Sequence, residues 1–293
     1  MRKRIAVFGC GGQLGVELCR EFSQRGCTVA GWERSQVDIT SPHAVEQAIA
    51  SVDPEVVLNA AAYNQVDVAE SEPVAAYQVN ALAVRNLALA CRQSGAELVH
   101  FSTDYVFDGK AGRPYTEEDP THPLGAYAVS KLGGELYAKA HLSKLLIVRT
   151  SGVFGLGALQ TPRGNFIELM LRLAAEGKQI RVVEDHIGSP TYAPLLAART
   201  ADLVERGIGG LVHCGGGCPV SWHRFAQMIF EEAGLKPDLR ATTDREYRTP
   251  AQRPKYSALS NGKMESLGLD PMPPLEVALR SYMQLRARQL AKA

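Results

Sequence analysis

A glycine turn near the start of the chain, Gly9-Cys10-Gly11-Gly12-Gln13-Leu14-Gly15, constrains the fold more than any other stretch. The apolar run Ile5-Ala6-Val7-Phe8 precedes it and Val16-Glu17-Leu18-Cys19-Arg20-Glu21-Phe22 follows, so the order is strand, turn, helix. The spacing Gly9-x-x-Gly12-x-x-Gly15 meets three needs: a tight exit from the strand, room for backbone N–H groups to approach a diphosphate, and close packing of helix on strand. Phosphates placed there would meet unpaired N–H groups and the positive end of the helix dipole. Turns are glycine-rich for steric reasons alone, but strand-turn-helix is the context that a dinucleotide-binding turn requires.

The remainder of the first half repeats the same alternation. Apolar strand-like runs at 5–8, 28–32, 56–59, 97–101 and 145–148 are separated by helical stretches, among them 13–25, 73–95 and 127–139. This predicts an α/β fold with a Rossmann-type doubly wound parallel sheet in residues 1–150. Glycine-rich loops over 152–164 then open a smaller C-terminal region, 151–293, expected to be mainly substrate-binding with some elements returning to the first domain. In it, 180–183 and 211–213 read as short strands, and 192–205, 222–232 and 274–288 as helices.

Composition narrows the partners. Lys+Arg 32 against Asp+Glu 31 leaves a formal net charge of +1, which creates no field to recruit nucleic acid or an acidic membrane, so a small molecule is the expected partner. The start Met1-Arg2-Lys3-Arg4 is basic, but the apolar run behind it is too short for a signal-peptide core, and no run is long enough to span a bilayer. Six scattered cysteines suit free thiols in a reducing, cytoplasmic compartment. Only Cys214 and Cys218 are close, with no further ligands at finger spacing, so no metal site is expected.

Candidate chemistry gathers at strand ends. Glu33-Arg34-Ser35 follows the second strand, where an acid reads ribose hydroxyls and an arginine suits a 2′-phosphate; with both present, NADH and NADPH stay open. Asp38 either receives an adenine amino group or caps a loop before Pro42. Small residues Ala60-Ala61-Ala62 before Tyr63 let backbone approach a ligand at the sheet's carboxyl edge. Tyr127 and Lys131 stand at i and i+4 on one helical face, and Ser102 and Thr103 lie just past the fourth strand. A lysine cation lowers a neighbouring phenol's pKa from about 10 and equips it for proton transfer, while a hydroxyl orients a carbonyl.

On these motifs the chain resembles the extended short-chain dehydrogenase/reductases, most closely the dTDP-4-dehydrorhamnose reductase branch, over nearly its whole length. Further matching runs are Asn59 to Tyr63 continuing through Val66 to Glu72, Ser102 to Gly109, Arg149-Thr150-Ser151, Gly164-Asn165-Phe166, Gly188 to Thr191, and Arg253-Pro254 with Ser257 and Leu259. The resemblance implies reduction of the 4-keto group of a nucleotide-linked deoxysugar, dTDP-4-dehydro-L-rhamnose, by NADPH or NADH. It implies Tyr127 as proton donor, Lys131 as its partner, Thr103 beside the carbonyl, and Thr103, Asp104 and Tyr127 against the sugar. Gly9, Gly12, Gln13, Leu14, Gly15, Asp38, Ile39, Ala62, Tyr63, Asn64 and Lys131 would hold the dinucleotide. An epimerase on the same scaffold, or a non-catalytic subunit like the regulatory subunit of methionine adenosyltransferase, are the alternative readings. Some members of the family need magnesium, though no acidic cluster in the sequence calls for it, and a homodimer is the assembly allowed for. One departure stands out: the branch reads Arg-Thr-Ser-Trp where this chain reads Arg149-Thr150-Ser151-Gly152, which removes an aromatic platform worth on the order of 1 kcal/mol or more.

Overall fold

The computed structural model describes residues 3–161 and 164–291. Met1 and Arg2 of the basic start, and Pro162 and Arg163 of the glycine-rich loops, lie outside the described residues.

Five strands of the first half, β1 (Arg4–Phe8), β2 (Thr28–Trp32), β3 (Val56–Asn59), β4 (Glu97–Thr103) and β5 (Leu145–Thr150), lie in one parallel sheet. Beyond two short pairing strands, β6 (Ile180–Val183) and β7 (Ile187–Gly188), the chain returns to that sheet with β8 (Gly210–His213). The strand order is β2-β1-β3-β4-β5-β8, so the side on which successive strands are added switches between β1 and β3, where open α/β sheets bind their ligands. Strand β1 is buried on both faces, as its unbroken apolar run requires. Ile5 and Val7 face a core with Leu18 and Phe22 of α1 (Gln13–Gln24), whereas Ala6 and Phe8 face a second core with Val45 and Ile49 of α2 (Pro42–Val52).

Helix starts and stops follow local chemistry. The Ser41 hydroxyl accepts from the Ala44 N–H at 3.3 Å and Pro42 opens α2, whereas Gly95 in the left-handed region ends the helix before β4. The expected single helix over 73–95 is in fact α3 (Pro73–Tyr77), a π turn over 78–82 and α4 (Ala83–Ser94). The wider turn sets Asn80, 1% exposed, against the backbone of Tyr63 and the hydroxyl of Ser130. Strand β4 runs two residues further than expected, because Ser102 and Thr103 pair with Arg149 and Thr150.

Helix α5 (Ala126–His141) lies between β4 and β5 in sequence and packs on α4 and the π turn. A third core joins Phe154, Ile167, Met170, Ile229, Leu279 and Tyr282. It is built from α6 (Phe166–Ala175), α8 (Trp222–Ala233) and α10 (Leu275–Leu290) with the parallel pair β6 and β10 (Leu239–Thr242). Helix α7 (Ala193–Glu205) packs on α1, β9 (Val220–Ser221) pairs antiparallel with β7, and α9 (Gly262–Ser266) sits by β8. Among the described residues no helix is long and apolar enough to cross a membrane.

Candidate active site

The glycine turn divides its labour. Gly9 has φ +81, and a β-carbon there would stand 2.7 Å from the Ala61 nitrogen; at Gly15 it would stand 2.0 Å from the Gly9 carbonyl oxygen. These two glycines let β1, α1 and the 60–61 backbone close up. Gly12 differs: among the described residues other than its chain neighbours, such a β-carbon would come within 4 Å of the Gly9 oxygen alone, at 3.3 Å, and the residue lines a cleft of about 350 Å³. Gly12, Gln13, Leu14, Ala62, Asn64, Thr103, Asp104, Tyr127 and Lys131, all candidates from the sequence, line that cleft together.

Gly9, Gly15, Asp38, Ile39 and Tyr63 do not line it. Asp38 accepts from the N–H and hydroxyl of Thr40 at 2.9 and 2.8 Å, the loop-closing arrangement weighed from the sequence, and Ile39 is core. Tyr63 donates its hydroxyl to Glu72 at 2.9 Å while its backbone is held in both directions by Asn80. The Gln13 side-chain Oε1 accepts from the Gly155 N–H and the Asn165 side-chain amide, both at 3.1 Å, tying the turn to the second region.

Tyr127 lies in the first turn of α5, and the Thr103 hydroxyl hydrogen-bonds its phenol. Burial pushes that phenol well above its ordinary value, the Thr103 bond opposes this, and the Asp104 and Tyr105 charges add to it. The lowering by Lys131 expected from the sequence is therefore not what this geometry gives. Lys131, 3% exposed, donates its ammonium to the Phe101 carbonyl at 2.6 Å. Burial lowers its pKa to about 8, with Glu135 one turn further along acting the other way.

Asp104 is 3% exposed and accepts from Ser257 at 2.5 Å, Ser151 at 2.8 Å and Thr103 at 3.1 Å. Burial raises it to about 6 against the pull of those hydroxyls. The Asp104 carboxylate thus anchors Thr103 to Ser151 and Ser257, which stand 47 and 153 positions from Asp104 in sequence. Beneath the cleft, Arg149 donates to Glu135 through two bonds of 2.8 and 2.7 Å; burial pushes Glu135 up, but the guanidinium outweighs it and holds the carboxyl below its usual value.

A second cavity of about 1080 Å³ opens beside the cleft, lined by α6, the Asp108–Lys110 turn and the 247–255 segment. Arg253 crosses its edge to grip Asp67 with bonds of 2.9 and 2.8 Å, and also hydrogen-bonds Tyr105. Tyr105 and Trp222 line both cavities. Sequence reading passed over these two, since one sits inside a motif quoted for its neighbours and the other begins a helix that looked like plain core. His186 and Asp244 of the cavity wall also gather with Asp185, the ligand-type atoms of the three lying within 4.8 Å of one another. The Lys255 ammonium binds both carboxylates at 3.0 and 3.2 Å, so the cluster already has its cation.

Comparison with known proteins agrees with this geometry. The family described as the RmlD substrate binding domain matches residues 2–287. The dTDP-4-dehydrorhamnose reductase of Mycobacterium tuberculosis (strain ATCC 25618 / H37Rv) is 41% identical over 276 residues, covering 92% of this chain and 89% of its own. The spore coat polysaccharide biosynthesis protein SpsK of Bacillus subtilis (strain 168) is 39% identical over 284 residues, covering 97% and 98%. Among solved structures, dTDP-4-dehydrorhamnose reductase from Bacillus anthracis str. Ames in complex with NADP superposes with a TM-score of 0.91 at 35% identity, covering 97% of this chain and 99% of its own.

Proposed function

Because the chain belongs to the RmlD substrate binding domain family, we propose that it is an NAD(P)H-dependent reductase of the 4-keto group of dTDP-4-dehydro-L-rhamnose, with Tyr127, Thr103 and Lys131 as its catalytic residues. The observation that carries this reading is the convergence of those three side chains in one cleft that opens onto a chamber large enough for a sugar nucleotide.

The residues present fit a dinucleotide. Gly12 leaves open the space a side chain would fill, and the buried Thr150 hydroxyl in the cleft wall has no protein partner among the described residues. Of the candidates named from the sequence, Gly12, Gln13, Leu14, Ala62, Asn64 and Lys131 line the cleft and would hold the cofactor, which when bound supplies the hydride that the carbonyl carbon accepts. As that carbon is reduced, its oxygen gains negative charge. The Thr103 hydroxyl turns its single proton from Asp104 to that oxygen, and Tyr127 gives it a proton. The raised phenol suits this role, because it stays protonated at neutral pH and so enters the reaction loaded. Lys131, still cationic below pH about 8, stabilises the phenolate left behind and holds the ribose hydroxyls of the dinucleotide. Asp104 keeps Thr103 aimed and touches the sugar only at the margin its three hydroxyl partners leave.

Residues 1–150 act as the dinucleotide-binding unit and 151–293 mainly as the substrate-binding one. Cytoplasmic residence is supported by six free thiols. The test is oxidation of NADPH and of NADH by the purified chain with dTDP-4-dehydro-L-rhamnose generated in situ. Formation of dTDP-L-rhamnose supports the proposal, whereas intact dinucleotide binding without turnover defeats it.

A further inference from the structure

The cleft and the large chamber share two lining residues, Tyr105 and Trp222. A substrate with its carbonyl at Tyr127 and its nucleotide in the chamber therefore threads its sugar past both rings. Tyr105 is fixed from behind by Arg253 and stands edge-on to Tyr127, with ring centroids 6.2 Å apart. Trp222 opens α8, capped by the Ser221 hydroxyl, which accepts from the Arg224 N–H at 3.1 Å. Its indole rests on Phe166 at 4.8 Å and 64° and on Phe225 at 6.2 Å, so one side of the ring is packed. Its indole N–H has no protein partner among the described residues, although the side chain is only half-buried.

Gly152 explains why the ring can occupy this corner. It has φ +50, and a β-carbon there would stand 3.1 Å from the outer Cη2 atom of Trp222 and 3.7 Å from Cζ2. Any side chain at 152 would both strain the backbone and press on the indole.

We propose that Trp222 is the aromatic wall of the hexose subsite and that Gly152 sets how far its ring reaches into the passage, an inference that rests on the reductase reading above. An indole face suits the apolar C–H face and methyl group of a deoxyhexose, while the free N–H can donate to a ring hydroxyl. Trp222 is thereby a specificity residue supplied by α8, and it stands in for contact area that residue 152 does not provide.

Three variants and one optical signal test this. W222A raises KM for the keto-sugar nucleotide about tenfold or more, and W222F raises it roughly threefold, with the Kd of NADPH and of dTDP unchanged in both. G152A moves KM in the same direction with Trp222 intact. In a W32F background Trp222 is the only tryptophan, and its emission shifts on adding dTDP-L-rhamnose but not dTDP. A wild-type KM in W222A, or an equal shift with dTDP alone, overturns the assignment. Should W222A fail to fold, W222F and the emission measurement decide alone. Calorimetric binding of dTDP-L-rhamnose with unmoved emission removes Trp222 and leaves the reductase intact; no binding of any dTDP-sugar removes both.

Discussion

At the scale of single residues, the reaction rests on groups whose protonation is set by burial more than by neighbours. Tyr127→Phe removes one oxygen at the centre of the cleft while preserving its shape. We expect kcat to fall about 10²–10⁴-fold with dinucleotide affinity unchanged, and wild-type turnover in that variant would end the assignment. The pH dependence follows from two buried neighbours. Lys131, lowered to about 8, is charged below that value and neutral above it, so kcat/KM should decline on the alkaline side from pH about 8. Asp104, raised to about 6, gains a proton as pH falls through that value and then no longer accepts from all three hydroxyls that anchor Thr103. The acid limb should therefore sit near pH 6, giving a bell between the two. A profile of kcat/KM checks both limbs, and K131R identifies the upper one: a limb that persists at pH 8 in that variant belongs to another group.

At the scale of elements, α5 is placed by polar contacts that no periodicity reveals. Its Glu135 is fully buried and meets Arg149 of β5, itself 2% exposed, in a two-bond pair. Removing one member strands a charge in the core, so E135A should cost about 3–5 kcal/mol in denaturant unfolding, far beyond an exposed pair's worth. A loss under 1 kcal/mol would mean that Arg149 finds water or another acid. The π turn before α4 is a second case. N80A leaves the Tyr63 backbone unheld and should weaken dinucleotide binding by roughly tenfold while the fold survives, as titration of NADPH would show. The alternation of strands and helices in the first half was legible because it is written in local patterns of apolar residues and turn glycines. The π turn was not, because its cause is a contact between Asn80 and residues 17 and 50 positions away. Likewise Arg149 read as part of a site motif, yet its guanidinium is committed to Glu135.

At the scale of the whole molecule, the large chamber is closed by bonds between segments far apart in sequence, which is why its walls were not legible, whereas the proposed tyrosine–lysine pair was. Tyr127 and Lys131 are one helical turn apart, whereas Trp222 and Gly152, or Asp185 and Lys255, meet only once the chain has folded. Arg253 is one such tie: it donates two bonds to Asp67 across 186 residues, donates to the Thr249 hydroxyl oxygen at 2.6 Å, and hydrogen-bonds Tyr105. A lysine there keeps the charge but cannot make the paired bonds to the carboxylate. R253K should therefore loosen the 247–255 segment and Tyr105 together. Because the proposed dinucleotide cleft is lined by the 12–14 turn, the ends of β3, β4 and β5 and the start of α5, and by no residue of this segment, its affinity should hold within about twofold while KM for the sugar nucleotide rises roughly tenfold. Steady-state kinetics beside NADPH titration separates the two. Equal losses in both ligands would show that the chamber wall and the cofactor cleft move as one body, and Arg253 would then belong to the stability of the fold instead of to the substrate's seat.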